Sequence, residues 1–166
     1  MGKAVVEVHG CTLRSAGGFG LWVKHNGTTR LRGCAINDVA RTGVACFNQG
    51  TVEVADTTIS RAGVHGVCLR GASSVRLECV VVGGCAVRGC YVYQQGTLEM
   101  RDCVVRGTTG AEAPAVQAGD TAKLGMVRCV VRDNAGGDLE VALGVSVLAD
   151  EGNEWEGGGR ILKTRA

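Results

Sequence analysis

A single proline and only six aromatic side chains, two each of Phe, Tyr and Trp, stand beside 27 glycines in this 166-residue chain. The glycines follow no three-residue period, which excludes a collagen helix. Hydrophobic residues make up 45% of the chain, too many for a disordered polar segment. No apolar run approaches the roughly 18 residues a membrane span needs. Met1 to His9 lacks the basic-then-apolar layout of a signal peptide, so neither membrane insertion nor secretion is expected. Eighteen basic residues against 16 acidic ones, a net charge of +2, are too balanced to favour nucleic acid as a partner. The length suits one domain with a substantial core.

Cysteine is plentiful but unpatterned. There are nine, an odd number, and no two are spaced as CxxC. Neither a disulfide framework nor a zinc ribbon is suggested. Free thiols serving as small apolar residues fit better, which implies the cytoplasm or another reducing intracellular compartment.

What the chain does have is an internal repeat. Rows of 23 residues align without gaps from about Val6 to Gly119. One column reads Gly27, Gly50, Ser73, Gly96, Gly119 and another Gly20, Gly43, Gly66, Gly89, and both are expected to mark turns. A first strand carries Val6, Thr29, Val52, Val75, Leu98 and, two residues on, Val8, Leu31, Val54, Leu77, Met100. Period two turns these inward and turns the intervening Glu7, Arg30, Glu53, Arg76, Glu99 outward, with Lys123 joining after a one-residue slip. The signs alternate from row to row, so rows stacked about 4.8 Å apart set opposite charges against each other.

A second strand carries Cys11, Cys34, Thr57, Val80, Cys103 and then Leu13, Ile36, Ile59, Val82, Val105. A third carries Leu21, Val44, Val67, Cys90 and then Val23, Cys46, Leu69, Val92. Three short strands per 23 residues leave no room for helices. Antiparallel hairpins would not hold one residue type in register over five rows, whereas stacked parallel coils would. The chain is therefore expected to be all-β, a parallel β-helix solenoid of six to seven coils and roughly 30 Å length. After Gly119 the second and third strands return at Cys129 and Leu139 if two or three residues are inserted, and Val145 begins a seventh coil. The division expected is a β-helix over 1–149 and an acidic, Gly-rich cap and tail over 150–166.

Rows such as Thr51 to Arg70 (TVEVADTTISRAGVHGVCLR) resemble the right-handed β-helix repeats of the pectin-lyase-like superfamily, in the variant found in F-box adaptor and scaffold proteins. The resemblance covers about 85% of the chain by the row alignment. It implies a right-handed solenoid. It leaves function open between polysaccharide-active enzymes and non-catalytic binding modules. The helical F-box segment itself is not present.

Catalysis on this fold needs clustered carboxylates. The superfamily's Asn-Thr-Asp and Asp-Asp motifs do not occur, and Asp38, Asp56, Asp102 and Asp133 are single acids. Asp56 and Asp102 share a column two coils apart, about 10 Å. His9, His25 and His65 have no metal-ligand spacing, and His65 reads as a solvated turn residue. Cys11, Cys34, Cys103 and Cys129 are expected in the core, and Cys68, Cys79 and Cys85 at reactive outward or turn positions. No catalytic residue, metal site or cofactor is assigned.

A surface remains. The outward columns of the third strand read Trp22, Ala45, Cys68, Tyr91 and Lys24, Phe47, Arg70, Tyr93. With Phe19, five of the six aromatic residues lie on or beside one face, interleaved with Lys24, Arg70 and Arg88. Trp, Tyr and Arg are the residue types enriched in binding hot spots, and exposed aromatics call for a cover. The binding residues assigned are Trp22, Lys24, Phe47, Arg70, Arg88, Tyr91 and Tyr93. Three covers fit: a protein partner or second copy of the chain, a glycan stacked on the rings, or the chain's own C-terminal tail. The unpaired backbone at the solenoid's ends adds end-to-end or side-by-side self-association, or excision from a longer scaffold, to the expectations.

Overall fold

The computed structural model describes residues 5–156. Every regular element among them is a strand, and every strand pair is parallel. The first sheet stacks Val5–His9, Thr28–Arg32, Thr51–Ala55, Ser74–Glu78, Thr97–Arg101, Lys123–Val127 and Ser146–Glu151. The second sheet, also seven-stranded, runs from Thr12–Ser15 to Glu154–Trp155. The third has six strands, from Leu21–Val23 to Leu139–Val141. The described chain thus makes seven coils, the last on two sides only.

The register is the 23-residue repeat made physical. Val6 pairs with Thr29, Ser74 with Thr51 and Thr97, and Val44 with Val67. Between the fifth and sixth coils the step becomes 26, Thr97 pairing with Lys123. The three extra residues are taken up in the loop between Val104–Arg106 and Val116–Ala118. The inward columns of all three sheets meet in one core, in which Ile36, Val44, Ile59, Val67, Leu69, Leu77, Val92 and Leu98 have no exposure. Burying each such side chain is worth about 1.5–3 kcal/mol. Because every coil is covered by the next, the core is one apolar column.

Each coil turns at three corners, and at most of them a residue adopts left-handed backbone. At the first corner Gly10, Gly33, Asp56, Cys79, Asp102, Arg128 and Gly152 all have φ between 50 and 62°. Asp38, Arg61, Gly84, Gly107 and Asp133 repeat this at the second corner, and His25, Asn48, Gly71, Gln94 and Asp120 at the third. A non-glycine residue gives up about 1 kcal/mol in this conformation, least for Asp and Asn. Where the residue after the first corner is Thr or Asn, its side chain satisfies the backbone of the neighbouring coil. Thr57 Oγ1 accepts from Cys34 N and donates to the Ala55 carbonyl, and Asn153 Oδ1 accepts from Cys129 N at 2.8 Å.

Five expectations need correction. Gly119 leaves the column of Gly96, because the three extra residues precede it: Val92 pairs with Ala118 and Thr97 with Lys123, so Gly119 takes the position of Tyr93 and Ala122 that of Gly96. The column Gly20, Gly43, Gly66, Gly89 does not turn the chain: it lies at the start of the third strands, with Gly66 and Gly89 inside them. A β-carbon on Gly43 would meet Ile59 Cγ2 at 2.5 Å and the Gly66 carbonyl oxygen at 2.7 Å, so glycine is required by close approach. Opposite Glu99 stands Gly125, with Lys123 two residues earlier against Thr97. The β-helix also passes the boundary set at 149, since Ser146–Glu151 and Glu154–Trp155 pair with the sixth coil. The remainder of the expected cap and tail, 157–166, lies outside the described residues. Cys11, finally, is exposed in the first described coil, whereas Cys68 and Cys85 are buried; Cys79 is exposed as expected.

Candidate interaction face

The outer surface of the third sheet is built from three outward columns, and neighbouring coils set their side chains side by side. Trp22 lies beside Ala45, Ala45 beside Cys68, and Cys68 beside Tyr91. Phe47 lies beside Arg70, and His65 beside Arg88. All seven residues assigned from the sequence fall on this face or its rim. They form two clusters. Phe19 and Trp22 have ring centroids 5.2 Å apart, and Trp22 meets Phe47 edge-on at 6.4 Å. One or two coils further on, Tyr91 and Tyr93 stack at 4.7 Å with planes 20° apart, and His65 tilts against Tyr91 at 5.4 Å.

Each cluster carries its cations on ring faces. Lys24 Nζ lies 4.5 Å from the Trp22 ring, and the guanidinium carbons of Arg70 and Arg88 lie 5.1 and 4.7 Å from Phe47 and Tyr91. Arg41 covers Phe19 at 5.0 Å. Such contacts are worth about 0.5–1 kcal/mol at exposed sites. Among the described residues none of these four cations forms an ion pair. The indole of Trp22 remains 51% exposed, the only large aromatic surface so open among the described residues.

Beneath this layer Ala45 and Cys68 point outward yet are buried, at 0% and 7% exposure. The longer side chains around them close over the two small residues. Burial pushes the Cys68 thiol up to about 11 against the pull of Arg70 and Arg88. His65 differs from the solvated turn residue expected of it. It opens the strand His65–Arg70, is half-buried, and leaves Nδ1 without a hydrogen-bond partner. Burial, with Arg88 alongside, lowers its pKa to about 4. Arg41 escaped the sequence reading because it sits in a corner, off the period-two columns. The column Thr42, His65, Arg88 was the available signal for His65.

The other two sheets carry charge differently. On the first, Arg30 bridges Glu7 at 3.3 Å and Glu53 at 2.8 Å, and Arg76 reaches Glu99 at 2.9 Å, as the alternating column predicts. At the corners Arg61 grips Asp38 through bonds of 2.6 and 3.0 Å, and Arg128 grips Asp102 through bonds of 2.6 and 2.7 Å. These guanidinium hydrogen bonds hold both carboxyls below the usual range. Asp56 is likewise within 3.3 Å of Arg32. The acids considered for catalysis are thus tied to arginines. His9 and His25 are exposed, His9 on the first sheet and His25 at the third corner, where it borders the face.

One surface hollow, of about 410 Å³, borders the aromatic face at the third corner beside His25, Asn48 and Gly71, and the others lie elsewhere. Two, of about 490 and 400 Å³, follow the first sheet beside Arg76, Glu99 and Leu148 and beside Glu7, Arg30 and Glu53. A third, of about 310 Å³, lies on the second sheet beside Arg61 and Arg106. The third sheet offers a platform of rings and cations, suited to contact over an area.

A family model described as a right handed beta helix region matches residues 2–153. The match is to the fold family as a whole and singles out no F-box adaptor. Comparison with curated proteins and with solved structures returned no match.

Proposed function

Because the chain belongs to the right-handed β-helix family, whose members share a scaffold rather than a chemistry, we propose that it is a non-catalytic interaction module that docks a protein through the third sheet. One observation carries this reading: four cations lie on aromatic ring faces across one sheet, with no carboxylate of the described chain answering them. A ring–cation layer presents large, low-entropy contact area and charge at once, the combination found at interface hot spots. A rigid solenoid holds it at no ordering cost on binding. The nine free thiols support a reducing intracellular setting, the cytoplasm in the simplest case.

A glycan is the second reading, favoured by the half-exposed Trp22 indole, to which a sugar ring could stack. The test of docking is capture from a lysate followed by binding of the purified captured protein. The wild type is compared with a variant carrying Trp22, Arg70, Tyr91 and Tyr93 as Ala, after circular dichroism shows that the variant folds. A protein bound by the wild type alone supports the module. Equal capture by both, or no capture by a chain that is also monomeric, removes the face as a docking site, and glycan binding lost in the same variant replaces the reading with the second.

A further inference from the structure

The third-sheet face is sorted by charge along the solenoid axis. Coils one to four carry Lys24, Arg41, Arg70 and Arg88, and the two coils beyond carry Glu112, Asp120 and Glu140 on the face or its bordering corners. Glu140 follows Gln117 in the Tyr91 column, and Gln117 Nε2 donates to its Oε1 at 2.7 Å. Asp120 is the corner residue that follows the third strand of coil five, and its Oδ2 accepts from Gln94 N. Among the described residues none of the three acids has an ion pair. On the first sheet and at the corners opposite charges are interleaved coil by coil and neutralise each other. On the third they are segregated, with cations over the first four coils and acids over the last two.

From this segregation we infer that the protein docked by the third sheet is a second copy of this chain, in an isologous two-fold dimer of opposed solenoids; the inference rests on the docking reading above. A two-fold axis in the interface plane, parallel to the strands and between coils three and four, places coil one over coil six, two over five and three over four. Trp22 and Lys24 then lie over the second copy's Glu140, and Arg41 over its Glu112. Phe47 lies beside its Asp120. At the centre Arg70 faces the second copy's Tyr93, and Tyr91 faces the side chains that close over its Cys68. An axis along the solenoid would instead set each coil on itself and like charge on like. Charge therefore selects one of the two face-to-face arrangements.

The face is small. Six strands spaced about 4.8 Å and a width of about 17 Å give roughly 500 Å² per copy, below the ~800 Å² of a standard stable interface. The dimer is thus weak and sensitive to salt, because its ends are held by exposed charge.

The test is sedimentation velocity on the full chain over a concentration series, in about 50 mM and about 500 mM salt. The expected result is a dimer in low salt that weakens in high salt. Glu140→Lys and Lys24→Glu should each weaken it about tenfold or more, and the two together should restore it. A monomer at all concentrations in low salt overturns the inference, as does a dimer indifferent to Glu140→Lys or a double variant no better than the single ones. Self-pairing and docking fail separately. A monomeric chain whose captured protein is lost with the four-alanine variant refutes the dimer and leaves docking intact, whereas a monomer whose capture is unchanged refutes both.

Discussion

Gly43 and Gly66 occupy the same position in adjacent coils, so close that a β-carbon on Gly43 would lie 2.7 Å from the Gly66 carbonyl oxygen. A β-carbon on Gly66 would meet the Gly89 carbonyl oxygen at the same distance, and would also collide with Val82. Since the obstacle is backbone of the next coil, no rotamer change relieves it. Gly66→Ala is expected to cost about 3 kcal/mol, measured by urea unfolding. Gly119→Ala, where the new β-carbon meets only Tyr93 at 3.9 Å, should stay within about 0.5 kcal/mol of the wild type.

The corners allow a gain. Cys79 holds φ 53° at an exposed corner where Gly10, Gly33 and Gly152 stand in other coils. Cys79→Gly removes the left-handed strain and should raise stability by about 0.5–1 kcal/mol, read as a higher thermal midpoint.

The ladder on the first sheet makes a salt-dependent prediction. Arg30 is hydrogen-bonded to both Glu53 and Glu7, which raises its pKa. Arg30→Glu would stack three carboxylates in adjacent coils. The thermal midpoint should fall in low salt and recover much of the loss in about 500 mM salt, where exposed charges are screened.

His65 makes the fold sensitive to mild acid. Burial, and secondarily Arg88, holds its pKa near 4, while the unfolded chain takes up the proton near 6.5. The unfolded state therefore binds more protons between these values, and stability falls as pH drops from about 6.5 toward 4. With the side chain partly solvated the loss is about 1–2 kcal/mol. His65→Gln should flatten the dependence of the urea midpoint between pH 7 and pH 5.

Thiol labelling tests how the face covers its floor. Of the nine free cysteines only Cys11 and Cys79 are exposed, so a rapid alkylating reagent should modify two sites in the folded chain. Cys68 lies beside Tyr91. Tyr91→Ala should add Cys68 as a third rapid site by mass spectrometry, with the core thiols Cys46 and Cys90 still protected. Burial raises the pKa of both. Unchanged labelling would show that Tyr91 does not shield the floor.

Much of this was legible because a parallel solenoid writes its register directly into sequence. A residue and its equivalent 23 positions on are physical neighbours, so a column of valines is a core and a column of alternating Glu and Arg is an ion-pair ladder. The same logic placed Trp22, Phe47, Arg70 and Tyr91 on one face. It misplaced the Gly43 column, because composition does not distinguish a glycine needed for left-handed backbone from one needed for close approach. It also left Asp56 and Arg128 unnoticed as corner residues, since unlike side chains share one backbone conformation there.

The 23-residue period by itself determined the fold, the core columns and the face, because strand stacking demands the same residue type at every repeat. Only the tertiary structure decided what covers what. Cys68 is buried although it points outward, His65 is half-buried although it borders a turn, and the cations of the third sheet lie on rings while those of the first sheet meet carboxylates. Those outcomes depend on how far each side chain reaches across the few ångströms to the next coil, a matter of geometry that the order of residues states only indirectly.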